Sequence, residues 1–358
     1  KIFSKMIKVG KSKIGDGNPC FITFELGATH RGFKSAQRMI RKAAEAGADA
    51  VKFQIFDPEK LVSDKSQLFS YSILKNKKKN IVIKKTESLF RILKRRCLKK
   101  NQWIFLKNLC DKLGLAFFST VGYEEDVDFL ESIGCQSLKI SSADINHSPL
   151  IRYAAKTKLP IQIDTGMSTI AEIQKAVNVI KKQGNKKIII HHCPSDYPAK
   201  LDNVNLNIIK TLKEKFKFSI AYSDHSPGIE MDLVALTMGV DLIEKTVTEN
   251  RTTPQVEHMM SIEIGEMKSF VQSIRNIEKA KGKYFKYISA KDRKKRNLVR
   301  RGVFFNKDEK KGQRLSDCNI IFRRPGTGIQ PDKFEKIKNL RLNRNVKKGH
   351  QLRKKDFE

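Results

Sequence analysis

The chain has 358 residues, of which 39% are hydrophobic and 31% charged, and its formal net charge is +34. No apolar run approaches the roughly 18 residues that a membrane helix needs, and the basic start KIFSKMIKVGKSK lacks the apolar centre of a secretory signal. The six cysteines are dispersed without a CxxC pair, which argues against a structural zinc site and predicts a cytoplasmic protein.

Eight short apolar runs, separated by helix-like stretches, end in polar residues that can do chemistry. In chain order the runs are FITFEL (21–26), DAVKFQ (49–54), LAFFST (115–120), SLKISS (137–142), PIQIDT (160–165), KIIIHHC (187–193), SIAYSDH (219–225) and DLIEKTV (241–247). This alternation predicts an α/β fold, the (β/α)8 TIM barrel, whose active site is built from the C-terminal ends of its strands. The polar residues should therefore meet at one mouth.

Helical periodicity fills the segments between the runs. In residues 35–46, one face carries Ala36, Met39, Ile40, Ala43 and Ala44, and Gly47 should end the helix. Further helices are predicted near 101–113, 124–133, 148–157, 168–183, 203–216, 228–238 and 261–281.

The pattern changes near residue 283. A basic segment containing KDRKKRN is followed by short alternating strand-like pieces with turn residues, and KKG occurs at both 310–312 and 347–349. We therefore predict a barrel domain at 1–282, a basic linker at 283–297 and a compact β-rich module at 298–358.

The charge of +34 raises the question of a nucleic-acid or anionic-membrane partner. The lysines, however, are spread over nearly every helix-like segment, and aromatic residues are not interleaved with them as base stacking requires. The densest basic runs, 75–85 and 291–296, fall in a predicted loop and in the predicted linker. The pattern favours a general lysine bias together with an anionic substrate over a nucleic-acid or membrane partner.

Several strand ends carry groups suited to an anion. Lys52 and Gln54 are two residues apart on one strand and should face the same side, and Lys139 occupies a similar place on the fourth strand. The hydroxyl groups at the same level belong to Ser119, Thr120, Ser141 and Ser142. Because a buried unpaired ammonium group is costly, a phosphate or carboxylate site explains these lysines better than a purely structural role does.

Three histidines and two acidic residues stand at other strand ends. His191 and His192 are adjacent, so one should face the barrel and the other the helices. His225, beside Asp224, is a candidate metal ligand or general base, with a packed core residue as the alternative. Glu25 is a candidate base or acceptor for a substrate hydroxyl, and its structural alternative is an ion pair with a neighbouring lysine.

Longer motifs resemble one family over essentially the whole chain. The motifs are FELGATHRG (24–32), AAEAGADAVKFQIFDPEKL (43–61), TESLF (86–90), LGLAFFSTV (113–121), LKISSADI (138–145), LIRYAAKTKLPIQIDTGMST (150–169), HHCPSDYP (191–198), AYSDHSPG (221–228), RRPGTGI (323–329) and NRNVKKGHQL (343–352). They resemble the N-acetylneuraminate (sialic acid) synthases, which include the pseudaminate and legionaminate synthases. The last two motifs resemble the small antifreeze-like (SAF) domain at the C-terminus of that family.

The resemblance implies an enzyme that joins phosphoenolpyruvate to the open-chain aldehyde of an N-acylated amino sugar and releases phosphate. It implies that a divalent metal, Mn²⁺ or Mg²⁺, is held by His225 and polarises the aldehyde oxygen. The implied catalytic residues are Glu25, Lys52, Asp144 and His225. The predicted substrate-binding residues are Gln54, Ser119, Thr120, Lys139, Ser141, Ser142, Asp164, Ser195, Tyr197, Asp224, Glu257 and Arg324.

Within this set, the resemblance implies that phosphoenolpyruvate is held by Lys52, Thr120, Lys139 and Ser142, with help from Gln54. It implies that Glu25 and Asp144 bind substrate and activate the water that attacks C2. Ser195 and Tyr197 would line the sugar end. Arg324 would reach into the barrel of a second subunit, because the family forms a domain-swapped homodimer.

The chain departs from the family pattern near the sugar and metal end. Thr246 stands where the family has a histidine that is its second metal ligand, and a hydroxyl is a poor ligand for such an ion. Either His225 holds the metal with waters and a carboxylate such as Glu257, or catalysis depends less on metal. Asp164 also stands where a small hydroxyl residue is usual.

Three hypotheses follow. The first is a sialic-acid-type synthase that makes a nine-carbon 2-keto-3-deoxy sugar acid. The second is a related phosphoenolpyruvate–aldose condensing enzyme with a different acceptor. The third, suggested by Thr246 and the charge of +34, is a non-catalytic protein that binds sugars or polyanions.

Overall fold

The computed structural model describes residues 6–15, 17–283 and 285–357. They form two compact units, of which the first ends at Lys281 and the second begins at Gly282. Among the helices of these ranges, none has the length and apolar character that a bilayer span requires.

The strands of the first unit are β1 (Ile7–Val9), β2 (Ser12–Ile14), β3 (Phe21–Glu25), β4 (Ala50–Gln54), β5 (Leu68–Asn76), β6 (Ile81–Ser88), β7 (Ala116–Thr120), β8 (Ser137–Ile140), β9 (Ile161–Asp164), β10 (Ile188–His192), β11 (Ser219–Asp224), β12 (Leu242–Thr248) and β13 (Ile262–Glu263). Its helices are α1 (Phe33–Ala46), α2 (Pro58–Leu61), α3 (Leu89–Lys94), α4 (Lys100–Leu113), α5 (Glu124–Ser132), α6 (Ser148–Lys156), α7 (Ile170–Lys182), α8 (Leu201–Val204), α9 (Ile208–Lys215), α10 (Glu230–Thr237) and α11 (Met267–Lys281).

Parallel strands close a barrel in the order β3, β4, β7, β8, β9, β10, β11 and β12, and β12 pairs back onto β3. These strands coincide with the eight apolar runs, so the prediction of a TIM barrel is confirmed. The register pairs Glu25 with Lys52 and Thr120 with Lys139. The C-terminal strand ends therefore lie together at one mouth.

Apolar stripes hold the helices against the barrel. In α1 the side chains of Ala36, Met39, Ile40 and Ala43 are buried, as their spacing predicts, while Ala44 on the same face is half-buried. The helix ends at Gly47, whose φ of 83° is a left-handed conformation that glycine adopts at little cost.

An N-terminal hairpin, which we did not predict, covers the opposite end of the barrel. Strands β1 and β2 pair antiparallel, and Ile7, Val9 and Ile14 are buried. They belong to one apolar cluster with Phe21 and Ala116, the first residues of β3 and β7. The hairpin therefore seals the barrel at the end away from the mouth formed by the C-terminal strand ends.

The lysine-rich run 75–85 was predicted to be a loop, and that prediction is wrong. It lies in an antiparallel hairpin formed by β5 and β6, with a turn in which Asn80 has a φ of 47°. The three β-branched residues at 81–83 favour a strand, and the surrounding lysines obscured that preference. Together with α3, the hairpin forms an insertion between β4 and β7.

The second unit is small and is built around one apolar cluster. It contains β14 (Gly302–Phe305), β15 (Ile320–Arg323), α12 (Ala290–Val299) and α13 (Pro331–Ile337). Strands β14 and β15 pair antiparallel, and Val303, Phe305 and Leu352 are buried in the cluster. The segment predicted as a basic linker at 283–297 contains most of α12, a helix with no buried residue among those described.

Candidate active site

A cavity of about 380 Å³ opens at the C-terminal ends of the barrel strands. Its wall brings together the predicted residues Glu25, Lys52, Gln54, Thr120, Ser141, Ser142, Asp144, Asp164, Ser195, Tyr197, His225, Thr246 and Glu257. Lys52 and Gln54 face the same side of β4, as their spacing predicts.

Lys139 lies buried beneath this cavity. Its ammonium group is 2.7 Å from Oε1 of Glu244, 3.0 Å from Oδ1 of Asp164 and 3.1 Å from Oγ of Ser223. Burial acts to lower the pKa of Lys139, but the charges of Asp164 and Glu244 outweigh it and raise that pKa. Lys139 is therefore a permanent cation below the cavity.

Lys52 is a second buried cation. It donates to Oε2 of Glu25, and its Nζ lies 3.7 Å from Oε1 of Glu244. Burial opposes its charge, but Glu25 and Glu244 outweigh that effect and raise the pKa of Lys52. Conversely, burial acts to raise the pKa of Glu244, while Lys139 and Lys52 lower it to about 2. Glu244 thus joins two lysines in one charged network.

Glu25 has the ion pair that was its structural alternative, and it also has access to the cavity. It forms the ion pair with Lys52 and also lines the cavity. One of its oxygens accepts from the backbone N–H of Gly27. Burial raises the pKa of Glu25 even though Lys52 acts in the opposite direction. A carboxyl group with a raised pKa, open to a cavity, is suited to proton transfer.

Hydroxyl and amide groups form a cradle beside the lysines. Oγ of Ser142 accepts from the backbone N–H of Gly166 at 3.0 Å, and Oγ of Ser141 donates to Oδ2 of Asp144 at 2.7 Å. A Cβ atom at Gly166 would lie 2.9 Å from Oγ of Ser142 and 3.0 Å from the carbonyl oxygen of Cys193. This approach requires a glycine at that position.

The two adjacent histidines face opposite sides of β10, as predicted. His191 lies inside the barrel, 2.9 Å from both Oγ of Ser223 and Oε1 of Gln162, while Nε2 of His192 contacts the carbonyl oxygen of Val204 outside it. Burial and the charge of Lys139 lower the pKa of His191 to about 3. His191 is therefore neutral and positions its neighbours.

His225 lies at the cavity wall, and its Nε2 is 4.0 Å from Sγ of Cys193. Its Nδ1 is 2.6 Å from the carbonyl oxygen of Pro194, and its ring packs on Tyr197 with centroids 4.5 Å apart. Burial lowers the pKa of His225. Its unprotonated Nε2 is the imidazole atom that a metal would use.

The remaining donors do not complete a metal site. Thr246 lies beside His225, because the register pairs Asp224 with Lys245, the residues just before them. In the described ranges of the chain, no group of three or more histidine, cysteine or acidic side chains could hold a metal ion. The side chains therefore do not fit a metal held by protein ligands alone, and Mn²⁺ or Mg²⁺ stays a prediction.

Some predicted residues lie away from the cavity wall. Oγ of Ser119 bonds to the backbone at Ile55 and Thr120. Asp224 faces the helices, where it pairs with Lys245 and accepts from Ser226. Arg324 belongs to the second unit and directly precedes Pro325.

One wall of the cavity contains residues that we did not predict. Arg96, in the turn after α3, donates to Gln54 and Glu257, and it is 8% exposed. The apolar part of the same wall consists of Phe56, Leu61, Phe69, Leu89, Ile92, Leu93 and Val256. Most of these residues come from the insertion between β4 and β7, and their arrival at the mouth depends on tertiary packing that no local pattern encodes.

Two family profiles match the chain. The NeuB family matches residues 39–286, and the SAF domain matches residues 300–358. The SAF match confirms the kind of domain that the C-terminal motifs resemble.

Named relatives are similar along nearly the whole chain. An N,N′-diacetyllegionaminic acid synthase of Legionella pneumophila is 36% identical over 343 residues, covering 94% of each chain. A synthase of the same name from Campylobacter jejuni is 33% identical over 93% of this chain and 98% of its own. Among solved structures, an N-acetylneuraminic acid synthetase of Leptospira borgpetersenii in complex with citrate is 33% identical, with a TM-score of 0.71 over 82% of this chain and 95% of that one.

Proposed function

The chain belongs to the NeuB family, and we infer that it condenses phosphoenolpyruvate with an open-chain N-acylated amino sugar to give a nine-carbon 2-keto-3-deoxy sugar acid and phosphate. One observation carries this proposal. Lys52 lines the cavity beside a cradle of hydroxyl groups, and Glu244 joins it to a second buried cation, Lys139, beneath the cavity. Such a site suits a small substrate with a phosphate and a carboxylate.

Phosphoenolpyruvate is placed in this proposal at the deep end of the cavity. Lys52 approaches one anionic group, and the hydroxyls of Thr120 and Ser142 donate to the other. Lys139 acts from below by holding Glu244 and Asp164 in place. Because these charges are fixed before the substrate arrives, little reorganisation is needed when it binds.

The reaction then has two bond-forming steps. C3 of phosphoenolpyruvate attacks the aldehyde carbon, and the aldehyde oxygen takes up a proton. Water adds to C2 and loses one proton, which leaves a hydroxyl and the phosphate ester on the same carbon. The C2–O bond to phosphate then breaks while the hydroxyl passes its remaining proton to the departing phosphate, and C2 becomes the ketone. Glu25, whose pKa is raised by burial, is assigned to accept the proton from water. Asp144 is assigned to orient the sugar hydroxyls at the rim.

The outer end of the cavity supports an acceptor with acyl groups. Its apolar wall includes Leu89, Ile92 and Val256, which can bury the methyl of an acetyl group. The names of the Legionella and Campylobacter relatives refer to a product with two N-acetyl groups. We therefore place a di-N-acetylated amino sugar first among the acceptors and N-acetylmannosamine second.

Arg324 and the second subunit remain proposals that rest on the family resemblance. In this scheme the enzyme is a homodimer, and Arg324 of one subunit binds the sugar held in the barrel of the other.

Phosphate release by the purified protein tests the function. The assay contains phosphoenolpyruvate and Mn²⁺, with and without each N-acylated sugar, and is repeated in EDTA. Sugar-dependent release supports the synthase. Release with non-acylated aldoses or aldose phosphates alone would place the protein among other phosphoenolpyruvate–aldose condensing enzymes. Absence of release with every aldose, together with salt-sensitive polyanion binding, would replace the proposal with the non-catalytic hypothesis.

A further inference from the structure

Arg96 enters the cavity wall from outside the barrel strands. It follows α3, and its side chain is 9% exposed. Its Nη1 donates to Oε1 of Gln54 at 2.8 Å, and its Nη2 donates to Oε1 of Glu257 at 3.2 Å. Burying a cation costs free energy unless it is paired and hydrogen-bonded. None of the steps assigned above uses this residue.

The pair of Arg96 and Glu257 presents donors and an acceptor side by side. A guanidinium group has five N–H donors, and the contacts to Gln54 and Glu257 use two of them. Among the described residues, Glu257 is engaged through Oε1, and no hydrogen-bond partner is found for its Oε2. Both side chains line the cavity, so their unused groups are available to a ligand that enters it.

Apolar side chains surround this polar pair. Val256 precedes Glu257 in the chain and packs with Ile92 in a buried cluster that also contains Tyr71 and Ile73. Ile92 and Val256 line the same cavity. The wall therefore offers a hydrogen-bond donor, a hydrogen-bond acceptor and an apolar surface close together.

An acylamino group has the complementary features, namely a carbonyl oxygen, an N–H and a methyl. We propose that the Arg96–Glu257 pair binds an acylamino group of the acceptor sugar. Its carbonyl oxygen accepts from the guanidinium of Arg96, its N–H donates to Oε2 of Glu257, and its methyl packs against Ile92 and Val256. This assignment rests on the proposed function and names the substituent by which the acceptor is selected.

A second phosphate or carboxylate fits this place less well. Glu257 neutralises Arg96 at 3.2 Å, and its free oxygen would repel an incoming anion. A neutral amide is bound by the pair without either charge being displaced.

Steady-state kinetics with the full-length enzyme test the assignment. Arg96→Met keeps the chain length and removes the donors. Arg96→Met combined with Glu257→Gln avoids leaving a buried carboxylate unpaired, so folding is preserved if the single variant is unstable. Arg95→Met is the matched control, because Arg95 is the adjacent residue and pairs with Glu87. The acceptor is the N-acylated sugar that the wild type uses best.

Both Arg96 variants should raise KM for the acceptor by about tenfold or more, as expected for a lost charged hydrogen bond. KM for phosphoenolpyruvate should stay within about twofold of the wild-type value. In the Arg95→Met control, the KM values for both substrates should stay within about twofold of the wild type. An equal rise in the KM values for both substrates, or an unchanged KM for the acceptor, overturns the assignment.

If the wild type turns over no sugar, the proposed function fails, and calorimetry with the unreactive alditol of N-acetylmannosamine decides this inference separately. Weaker binding to Arg96→Met than to Arg95→Met supports it, and equal binding overturns it.

Discussion

The ammonium group of Lys139 lies 2.7 Å from Oε1 of Glu244, and both side chains are buried under the cavity. The same oxygen is 3.7 Å from Nζ of Lys52. Glu244 thus holds two like charges near each other in a place where they would otherwise repel. Under the proposed function, a substrate with a phosphate and a carboxylate would meet lysines whose positions are already fixed, so loss of this network should affect both the stability of the barrel and turnover.

Replacing Lys139 with methionine should abolish turnover. The substitution removes the cation but preserves much of the volume, so Glu244 and Asp164 lose a buried partner. Breaking a buried ion pair typically costs about 3–5 kcal/mol of stability. Phosphate release and urea unfolding are to be measured on the same preparations.

Lys245→Met separates the catalytic effect from the structural one. Lys245 is a buried lysine that pairs with Asp224 and Asp232 on the helix side of β12. Lys245→Met should lower the free energy of unfolding about as much as Lys139→Met does. The folded fraction of Lys245→Met should still bind phosphoenolpyruvate in calorimetry. Near-normal turnover by Lys139→Met would contradict our placement of the anion site.

Introducing a histidine at position 246 should create a metal site. The register places residue 246 next to His225, so Thr246→His would bring two imidazoles to the cavity. We expect Mn²⁺ to bind about 10–100-fold more tightly to this variant than to the wild type. The measurement is an electron paramagnetic resonance titration of free Mn²⁺, with Thr246→Gln as the control. Equal affinities in all three proteins would show that the two positions do not share an ion.

The N-terminal hairpin should matter for stability and not for catalysis. Ile14 is fully buried in the cluster at the closed end of the barrel. Ile14→Ala should lower the free energy of unfolding by about 2–5 kcal/mol because it leaves a cavity. At a temperature where the variant is folded, kcat/KM should be unchanged. A large fall in kcat/KM would mean that the two ends of the barrel are coupled.

The residues at the strand ends were predictable because every strand of a TIM barrel brings its C-terminal end to the same mouth. Lys52, Gln54 and Lys139 could be placed from position alone. The alternation of side chains along a strand also explains why Asp224 lies away from the cavity. Ser223 bonds to Lys139 inside the barrel, so alternation along the strand turns Asp224 toward the helices.

Arg96 was beyond the reach of such rules. It is not on a barrel strand, and the insertion that carries it has no fixed relation to the strand order. The lysine-rich hairpin also concealed its strand character, because exposed charges dominated its composition. Local pattern therefore located the polar residues of the barrel strands, but it did not locate Arg96 or the apolar side chains beside it.

Mixing two inactive variants should restore activity if the domains are swapped. Lys139→Met lacks a site residue in the barrel, and Arg324→Ala lacks a proposed site residue in the C-terminal domain. After subunit exchange, one site of each heterodimer combines an intact barrel with an intact domain, and about a quarter of the wild-type activity should return. Phosphate release before and after exchange measures this. If activity does not return although light scattering shows mixed dimers, Arg324 acts within its own chain or not at all.

Buried neutral histidines should make the fold sensitive to acid. Burial and the charge of Lys139 lower the pKa of His191 to about 3, and burial and the charge of Arg96 lower the pKa of His30 to about 4, from the ordinary 6.5. Below about pH 6.5 the unfolded chain takes up protons at these residues that the folded chain does not. The free energy of unfolding should therefore fall as the pH falls from about 6.5 towards these values.

His191→Gln tests this dependence at one of the two positions. His191 faces Lys139 and Asp164, and glutamine has no charge to gain. The variant should be less stable than the wild type near pH 8 because it packs less well. Its stability should then fall less steeply on acidification, by up to about 1.4 kcal/mol per pH unit. Urea unfolding between about pH 8 and about pH 4.5 gives both slopes, and parallel curves for the two proteins would show that His191 does not hold a proton more weakly in the folded state.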